Sequence, residues 1–69
     1  MEITVILFAR LEEKGKAFQV SRVKEATGKE YYTIEAMFTG DTHWLVLYKS
    51  ELKYVLNQFY YMVGTSLTS

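Results

Sequence analysis

Histidine and cysteine, two of the side chains most used in nucleophilic and acid–base catalysis, are nearly absent from this sequence. It contains one histidine, His43, next to Asp41 and Thr42, and it contains no cysteine. Nucleophilic catalysis needs a nucleophile, a base and an orienting group in mutual contact. Neighbouring residues of a strand point to opposite faces of a sheet, so we expect His43 to be a strand residue near a turn. These three residues therefore do not predict a catalytic group.

A second candidate for acid–base chemistry is the pair of adjacent carboxylates Glu12 and Glu13. Such chemistry requires a buried or crowded carboxylate, whereas these two lie beside Lys14 and Lys16 in a segment that contains Gly15. That composition predicts a solvated loop. The glycines are too far apart to form a phosphate-binding loop, and one histidine without cysteine predicts neither a metal site nor a cofactor. We therefore expect a protein that is not an enzyme.

The overall composition is that of a small folded domain. The chain has 69 residues, of which 49% are apolar and 16% aromatic, too many for a disordered chain. Eight basic and eight acidic residues cancel, which argues against strong non-specific binding to nucleic acid. The longest largely apolar run, residues 3–9 with Thr4 as its one polar residue, is far shorter than the roughly 18 residues of a membrane span. Met1-Glu2 lacks the basic start of a signal peptide, so we expect a cytoplasmic protein with no membrane partner.

Regularly spaced glycines divide the first part of the chain into strand-length segments. Gly15, Gly28 and Gly40 mark turns between stretches in which apolar and polar residues alternate. The predicted strands are residues 2–10, 17–23, 31–38 and 42–48. In the first of them we expect Ile3, Val5, Leu7 and Ala9 to share one face.

After the fourth predicted strand the apolar period changes from 2 to 3.6, which predicts a helix. Ser50 is a suitable N-cap, and Gly64 is placed to end the helix. One apolar stripe runs along it, formed by Leu52, Val55, Leu56, Phe59, Met62 and Val63. We expect residues 1–64 to form a single domain and residues 65–69 a frayed tail. The predicted fold is α+β: a four-stranded antiparallel meander followed by one C-terminal α-helix packed on one face (β-β-β-β-α).

The first and fourth predicted strands are the edges of such a meander, and both are apolar on two faces. Edge strands are normally protected by charges, proline or bulges. We therefore expect a homodimer, formed either by edge-to-edge pairing or by a second copy packed on the face without the helix.

The outer side of the predicted helix also indicates a partner. On a helical wheel, Tyr54 and Tyr61 lie opposite the apolar stripe, near Asn57 and Gln58. Tyrosine is enriched at interfaces because its ring packs while its hydroxyl keeps a hydrogen bond. The sequence therefore predicts a small protein-binding module, acting as a homodimer. An inhibitor or adaptor of a larger complex, of the kind found in phages and mobile elements, has this character.

The alternative is a protein that binds single-stranded nucleic acid on the helix-free face of the sheet. Aromatic side chains on a sheet can stack on bases while basic residues contact phosphates. The residues available for stacking are Tyr31, Met37, His43, Trp44 and Tyr48, and those available for phosphates are Arg22 and Lys24. The order β-β-β-β-α also resembles that of transcription-coactivator-type and purine-element-type single-strand binders, a resemblance of topology alone.

Overall fold

The protein is one antiparallel sheet with a single helix on one face. The computed structural model describes residues 1–68. The strands are β1 (Glu2–Leu11), β2 (Lys16–Lys24), β3 (Glu30–Phe38) and β4 (Leu45–Ser50); the helix is α1 (Leu52–Thr68). A short 3-10 turn, Glu12–Lys14, joins β1 to β2. The strand order is β1-β2-β3-β4, and every neighbouring pair is antiparallel. The predicted α+β meander with a C-terminal helix is confirmed.

The core lies between the helix and the face of the sheet that it covers. The side chains of Val55 and Phe59 are 0% and 4% exposed, as the apolar stripe predicts. They pack on residues from the strands, and the whole buried cluster consists of Leu11, Phe18, Val20, Ile34, Ala36, Val55 and Phe59. Full burial of one such side chain is worth about 1.5–3 kcal/mol. Because the cluster joins the helix to the sheet, it is the main source of stability. Within residues 1–68, no helix is long and apolar enough to cross a membrane.

A bulge in β1 changes which of its residues face the helix. The register with β2 shifts between Val5 and Leu7, which leaves Ile6 as an extra residue. Ile3 and Val5 consequently lie on the helix-free face, while Leu7 and Ala9 pack against the core. The prediction that these four residues share a face is wrong, because one inserted residue reverses the alternation that follows it.

Both ends of the helix differ from the prediction. Ser50 is the last residue of β4, and the N–H groups of Tyr54 and Val55 donate to the carbonyl of Glu51 at 3.2 and 3.0 Å. Glu51, rather than Ser50, therefore precedes the helix.

At its other end the helix does not stop at Gly64. This glycine has no left-handed φ, and the helix continues to Thr68. Residues 65–68, expected in a frayed tail, are helical; Ser69 lies outside the described residues. Ser66 is 8% exposed, so the last turn packs on the rest of the domain. That packing offsets the cost of about 1 kcal/mol for glycine inside a helix.

Two turns at one end of the sheet are joined to each other. Gly15 has a φ of 65°, and its carbonyl accepts hydrogen bonds from both the N–H and the hydroxyl of Thr39, at 2.7 and 2.9 Å. The N–H of Asp41 then donates to the carbonyl of Phe38 at 2.9 Å, which closes the turn around Gly40. The fourth strand was predicted to begin directly after this turn, at residue 42, whereas β4 starts only at Leu45.

Candidate functional site

The outer side of the helix presents the residues that the sequence predicts for partner binding. Tyr54 and Tyr61 are 48% and 68% exposed, and Asn57 is exposed between them. Gln58 is half-buried and lies at the margin of this surface. We call the surface formed by Tyr54, Asn57 and Tyr61 the tyrosine face. It lies on the side of α1 opposite to the buried Val55, so it is turned away from the core.

The tyrosine face has no charged side chain. After Lys53 the sequence contains no Asp, Glu, Lys, Arg or His. The Lys53 ammonium lies 5.0 Å from the centre of the Tyr54 ring, at the start of the surface. The exposed face of a helix in a small domain ordinarily carries charged residues. The exposed rings lie on a helix whose one charged residue, Lys53, is in the first turn, so most of this surface can be desolvated without burying a charge.

Tyr60 lies beside the tyrosine face and has a different setting. It is 62% exposed, and its ring packs edge-to-face on Phe59 with the ring centres 5.6 Å apart. Because Phe59 belongs to the core, Tyr60 is attached to the domain in a way that the other two exposed tyrosines are not. It provides a comparison for them on the same helix.

The residues proposed for nucleic-acid binding divide between the two faces of the sheet. Tyr31 and Trp44 lie on the helix-free face, where Trp44 contacts Phe8. Tyr48 pairs with Ile34 and packs against the core on the opposite face. The expectation that Tyr48 joins a stacking surface on the helix-free face is therefore wrong.

The two basic residues proposed to contact phosphates, Arg22 and Lys24, also lie away from the proposed base-stacking surface. Arg22 is the cross-strand neighbour of Tyr32, which packs on the core side of the sheet. Cross-strand neighbours share a face, so Arg22 and the next-but-one residue Lys24 lie on the helix-covered side. Lys24 stands between Glu2 and Glu30 in the register. The basic groups and the aromatic rings of the alternative are thus on opposite faces.

The rings on the helix-free face already have partners. The ring centres of Phe8 and Trp44 are 6.2 Å apart in an edge-to-face arrangement. The Lys49 ammonium lies 4.2 Å from the centre of the Tyr31 ring and covers one side of it. Stacking of a base needs an uncovered ring face. On Tyr31, one ring face is therefore occupied by Lys49, and a base could stack only on the other.

A polar cluster occupies the centre of the helix-free face. The hydroxyl of Ser21 and the amide of Gln19 both donate to Glu35 Oε1, at 2.8 and 3.2 Å. Ser21 and Thr33 are 0% and 5% exposed, although no helix covers them. The Glu35 carboxylate places negative charge in the middle of the face, and negative charge repels phosphate.

The groups considered for catalysis are well separated and solvated. Glu12 and Glu13 lie in the exposed 3-10 turn, and Glu12 Oε1 is 3.6 Å from Arg10 Nε. His43 is exposed in the connection before β4, so the expectation that it is a strand residue is wrong, and its Nδ1 is 2.9 Å from the hydroxyl of Thr42. In the described part of the chain, no three His, Cys, Asp or Glu side chains are grouped to hold a metal ion.

The two broad surfaces of the domain thus differ in chemistry. The tyrosine face is uncharged, with exposed rings. The helix-free face has a carboxylate at its centre, and its aromatic rings are engaged. In comparisons with known proteins, no protein-family model, no curated protein and no solved structure matches this chain.

Proposed function

We propose that this protein is a small non-enzymatic module that binds another protein through the tyrosine face. In this proposal it acts as a homodimer and serves as an inhibitor or adaptor of a larger complex, such as those of phages or mobile elements. The observation that supports the proposal is the exposure of Tyr54 and Tyr61, 48% and 68%, on a helix surface without charge.

The energetics of the tyrosine face suit a protein partner. Tyrosine is among the residues that most often dominate the free energy of binding at protein interfaces, at about 2 kcal/mol or more for each such residue. Around Asn57 and Tyr61 no ionised side chain of the helix has to lose its hydration when a partner covers the face, which avoids a cost of several kcal/mol per charge; Lys53 lies at the edge, beside Tyr54. Asn57, between the two rings, offers an amide that donates and accepts hydrogen bonds and so orients the partner.

The alternative function, binding of single-stranded nucleic acid, has one observation in its favour. Tyr31 and Trp44 lie on the same helix-free face. Against it stand the Glu35 carboxylate at the centre of that face and the positions of Arg22 and Lys24 on the other side. The experiment below is therefore designed to distinguish binding of single-stranded nucleic acid from binding of a protein.

The proposal is tested with the double substitution Tyr54→Ala and Tyr61→Ala. We expect the free energy of unfolding to change by about 0.5 kcal/mol or less per site, because neither ring is in the core. We expect the affinity for a protein captured from the native host, identified by mass spectrometry and then purified, to fall at least tenfold. Calorimetric titration measures the affinity, and a urea titration measures stability. Tyr60→Ala is the matched control, since it removes an exposed ring from the same helix without altering the tyrosine face.

Two results would contradict the proposal. One is wild-type affinity of the folded double variant for the captured protein. The other is binding of a fluorescent oligothymidylate that is lost in Tyr31→Ala and Trp44→Ala and weakens steeply with salt, because neutralised phosphates release counterions. An interface on the uncharged tyrosine face should instead lose little affinity as salt rises.

A further inference from the structure

Gly64 is a residue of α1 that the domain itself does not require. It lies inside the helix, which continues to Thr68, and its φ is not left-handed. Residue 64 is exposed, and a β-carbon there would meet no atom of the described chain within 4 Å. Glycine is a poor helix former, so neither the backbone nor the packing of residues 1–68 accounts for it. Departures from local preference of this kind are typical of functional sites.

Gly64 continues the tyrosine face along the helix. Residues 54, 57, 61 and 64 are spaced by three, four and three positions, so they lie in one row on the side of α1 away from the core. We call this row, formed by Tyr54, Asn57, Tyr61 and Gly64, the outer row; all four residues are exposed and none is charged. Side chains of one helix pack into the spaces between those of another. A second helix can therefore lie along the outer row, with room for a large side chain at Gly64.

The sizes of the side chains in the outer row indicate which helix fits it. When two copies of the row lie antiparallel, Tyr54 is level with Gly64 of the second copy, and Tyr61 is level with Asn57 of the second copy. Every level then combines a tyrosine with a smaller residue, which is how facing positions fill the space between helices. A parallel pair would place tyrosine against tyrosine at two levels and glycine against glycine at another. We infer that α1 packs antiparallel on α1 of a second copy of this chain, about a twofold axis.

The charges of the domain agree with a contact between two helices. Lys53 is the one charged residue of α1 and lies in its first turn. In the antiparallel pair the two Lys53 ammonium groups lie at opposite ends of the contact, each near the last turn of the other helix. A cation is favourable at that end, where the backbone carbonyls carry partial negative charge. Packing of a second copy on the helix-free face would instead remove the Glu35 carboxylate from water.

The area of the contact sets its expected strength. A stable interface covers about 800 Å² on each partner, which is about a sixth of the 4840 Å² surface of this domain. The 17 residues of α1 form a helix about 25 Å long and about 10 Å wide. A contact along one side of this helix covers less than the standard area. We therefore expect a weak dimer, with a dissociation constant of about 100 µM.

The inference rests on the proposed function and adds a regulation to it. The dimer covers the tyrosine face of both copies, so a partner protein and a second copy compete for the same surface. The homodimer is then the free form of the protein. Because the contact is weak, a partner that binds the tyrosine face more tightly can replace the second copy.

Exchange of side-chain size on the full chain tests the inference by sedimentation equilibrium, from about 10 µM to about 1 mM. Gly64→Leu fills the space opposite Tyr54 of the second copy, and we expect dimerisation to weaken about tenfold. Leucine is the better helix former, so this variant should unfold no more easily than the wild type. Tyr54→Ala leaves the same space empty and should also weaken the dimer. An equimolar mixture of the two variants should associate more strongly than either alone, because one contact is then wild type and the other has its sizes exchanged. Ala26→Leu adds an exposed leucine between β2 and β3 and should leave dimerisation unchanged.

Disulfide cross-linking tests the direction of the two helices. The chain has no cysteine, so Asn57→Cys and Tyr61→Cys each introduce a single thiol. In the antiparallel pair, position 57 of one copy is level with position 61 of the other, whereas identical positions are about one helical turn apart. A disulfide does not bridge that separation without movement of the backbone. On oxidation, an equimolar mixture of the two variants should form a cross-linked dimer, and each variant alone should not.

The inference is overturned if the wild-type chain stays monomeric throughout the range, or if Gly64→Leu associates as strongly as the wild type. It is also overturned if the dimer persists in Tyr54→Ala with Tyr61→Ala, or if each cysteine variant cross-links as readily alone as in the mixture. The proposed function fails on a different result, namely wild-type affinity of the tyrosine double variant for the captured protein. The two failures are distinguishable because sedimentation and cross-linking use no partner protein.

Discussion

Truncation of Phe59 tests whether the helix stripe is the main stabilising contact of the domain. The side chain is 4% exposed within the cluster that joins α1 to the sheet. Replacement of a buried phenylalanine by alanine costs about 3–5 kcal/mol, from lost transfer free energy and from the cavity left behind. Loss of the edge-to-face contact with Tyr60, worth about 0.5–1.5 kcal/mol, places the expected value near the upper end. A domain of 69 residues has a total stability of about 3–10 kcal/mol. Phe59→Ala should therefore remove a large part of it.

The assay is a urea titration followed by circular dichroism, at one protein concentration because the proposed homodimer would make apparent stability depend on concentration. Leu52→Ala is the control. Leu52 belongs to the same stripe but is 37% exposed, so we expect a loss of about 1 kcal/mol. A loss below about 1 kcal/mol for Phe59→Ala, or equal losses for both variants, would show that the stripe does not face the core as described.

Two glycines give predictions of opposite sign, both measured by the same urea titration. Gly64→Ala should raise stability by about 0.5–1 kcal/mol, because the residue is helical and a β-carbon there meets no atom within 4 Å; a decrease would show that the helix ends at Gly64. Gly15→Ala should lower stability by about 1–3 kcal/mol, because φ is 65° and the new β-carbon would lie 2.5 Å from Thr39 Oγ1. Adding Thr39→Ala should restore the part of the stability lost through the contact between the new β-carbon and Thr39 Oγ1. If no stability is restored, the whole loss comes from the strained φ of residue 15.

The order and type of the elements follow from the sequence because they depend on periodicity. Alternation in β2 and β3 and the 3.6-residue stripe in α1 each bury one side of an element. Element ends depend on contacts that periodicity does not contain. Gly64 has the residue type of a helix stop, yet burial of Ser66 in the next turn carries the helix past it. The fourth strand starts at Leu45, three residues after the predicted position, because residues 42–44 after the Gly40 turn do not pair with β3.

For the candidate surfaces, too, periodicity predicts some positions, whereas others depend on contacts that it does not contain. Tyr54 and Tyr61 could be placed on the outer side of the helix because a helix without interruption keeps its phase. The face on which Tyr48 lies could not be predicted, because the register between β3 and β4 shifts between Ile34 and Glu35 of β3. Trp44 and Tyr48, four residues apart, would share a face in a regular strand, but one extra residue puts them on opposite faces. Nothing in the sequence marks that residue, because the segment is apolar on both sides.

The strict strand order has a consequence for how fast the domain folds. Each strand pairs only with its neighbours in the sequence, through short connections. Such hairpins form on a scale of about 1–10 µs because little chain entropy is lost in closing their loops. The helix instead packs on β2, about forty residues earlier in the chain, as well as on β3 and β4. Docking of the helix is therefore the step with the longest loop to close. Until the helix has docked, the apolar face of the sheet is exposed to solvent. Aggregation at high protein concentration is therefore most favoured from this partly folded state.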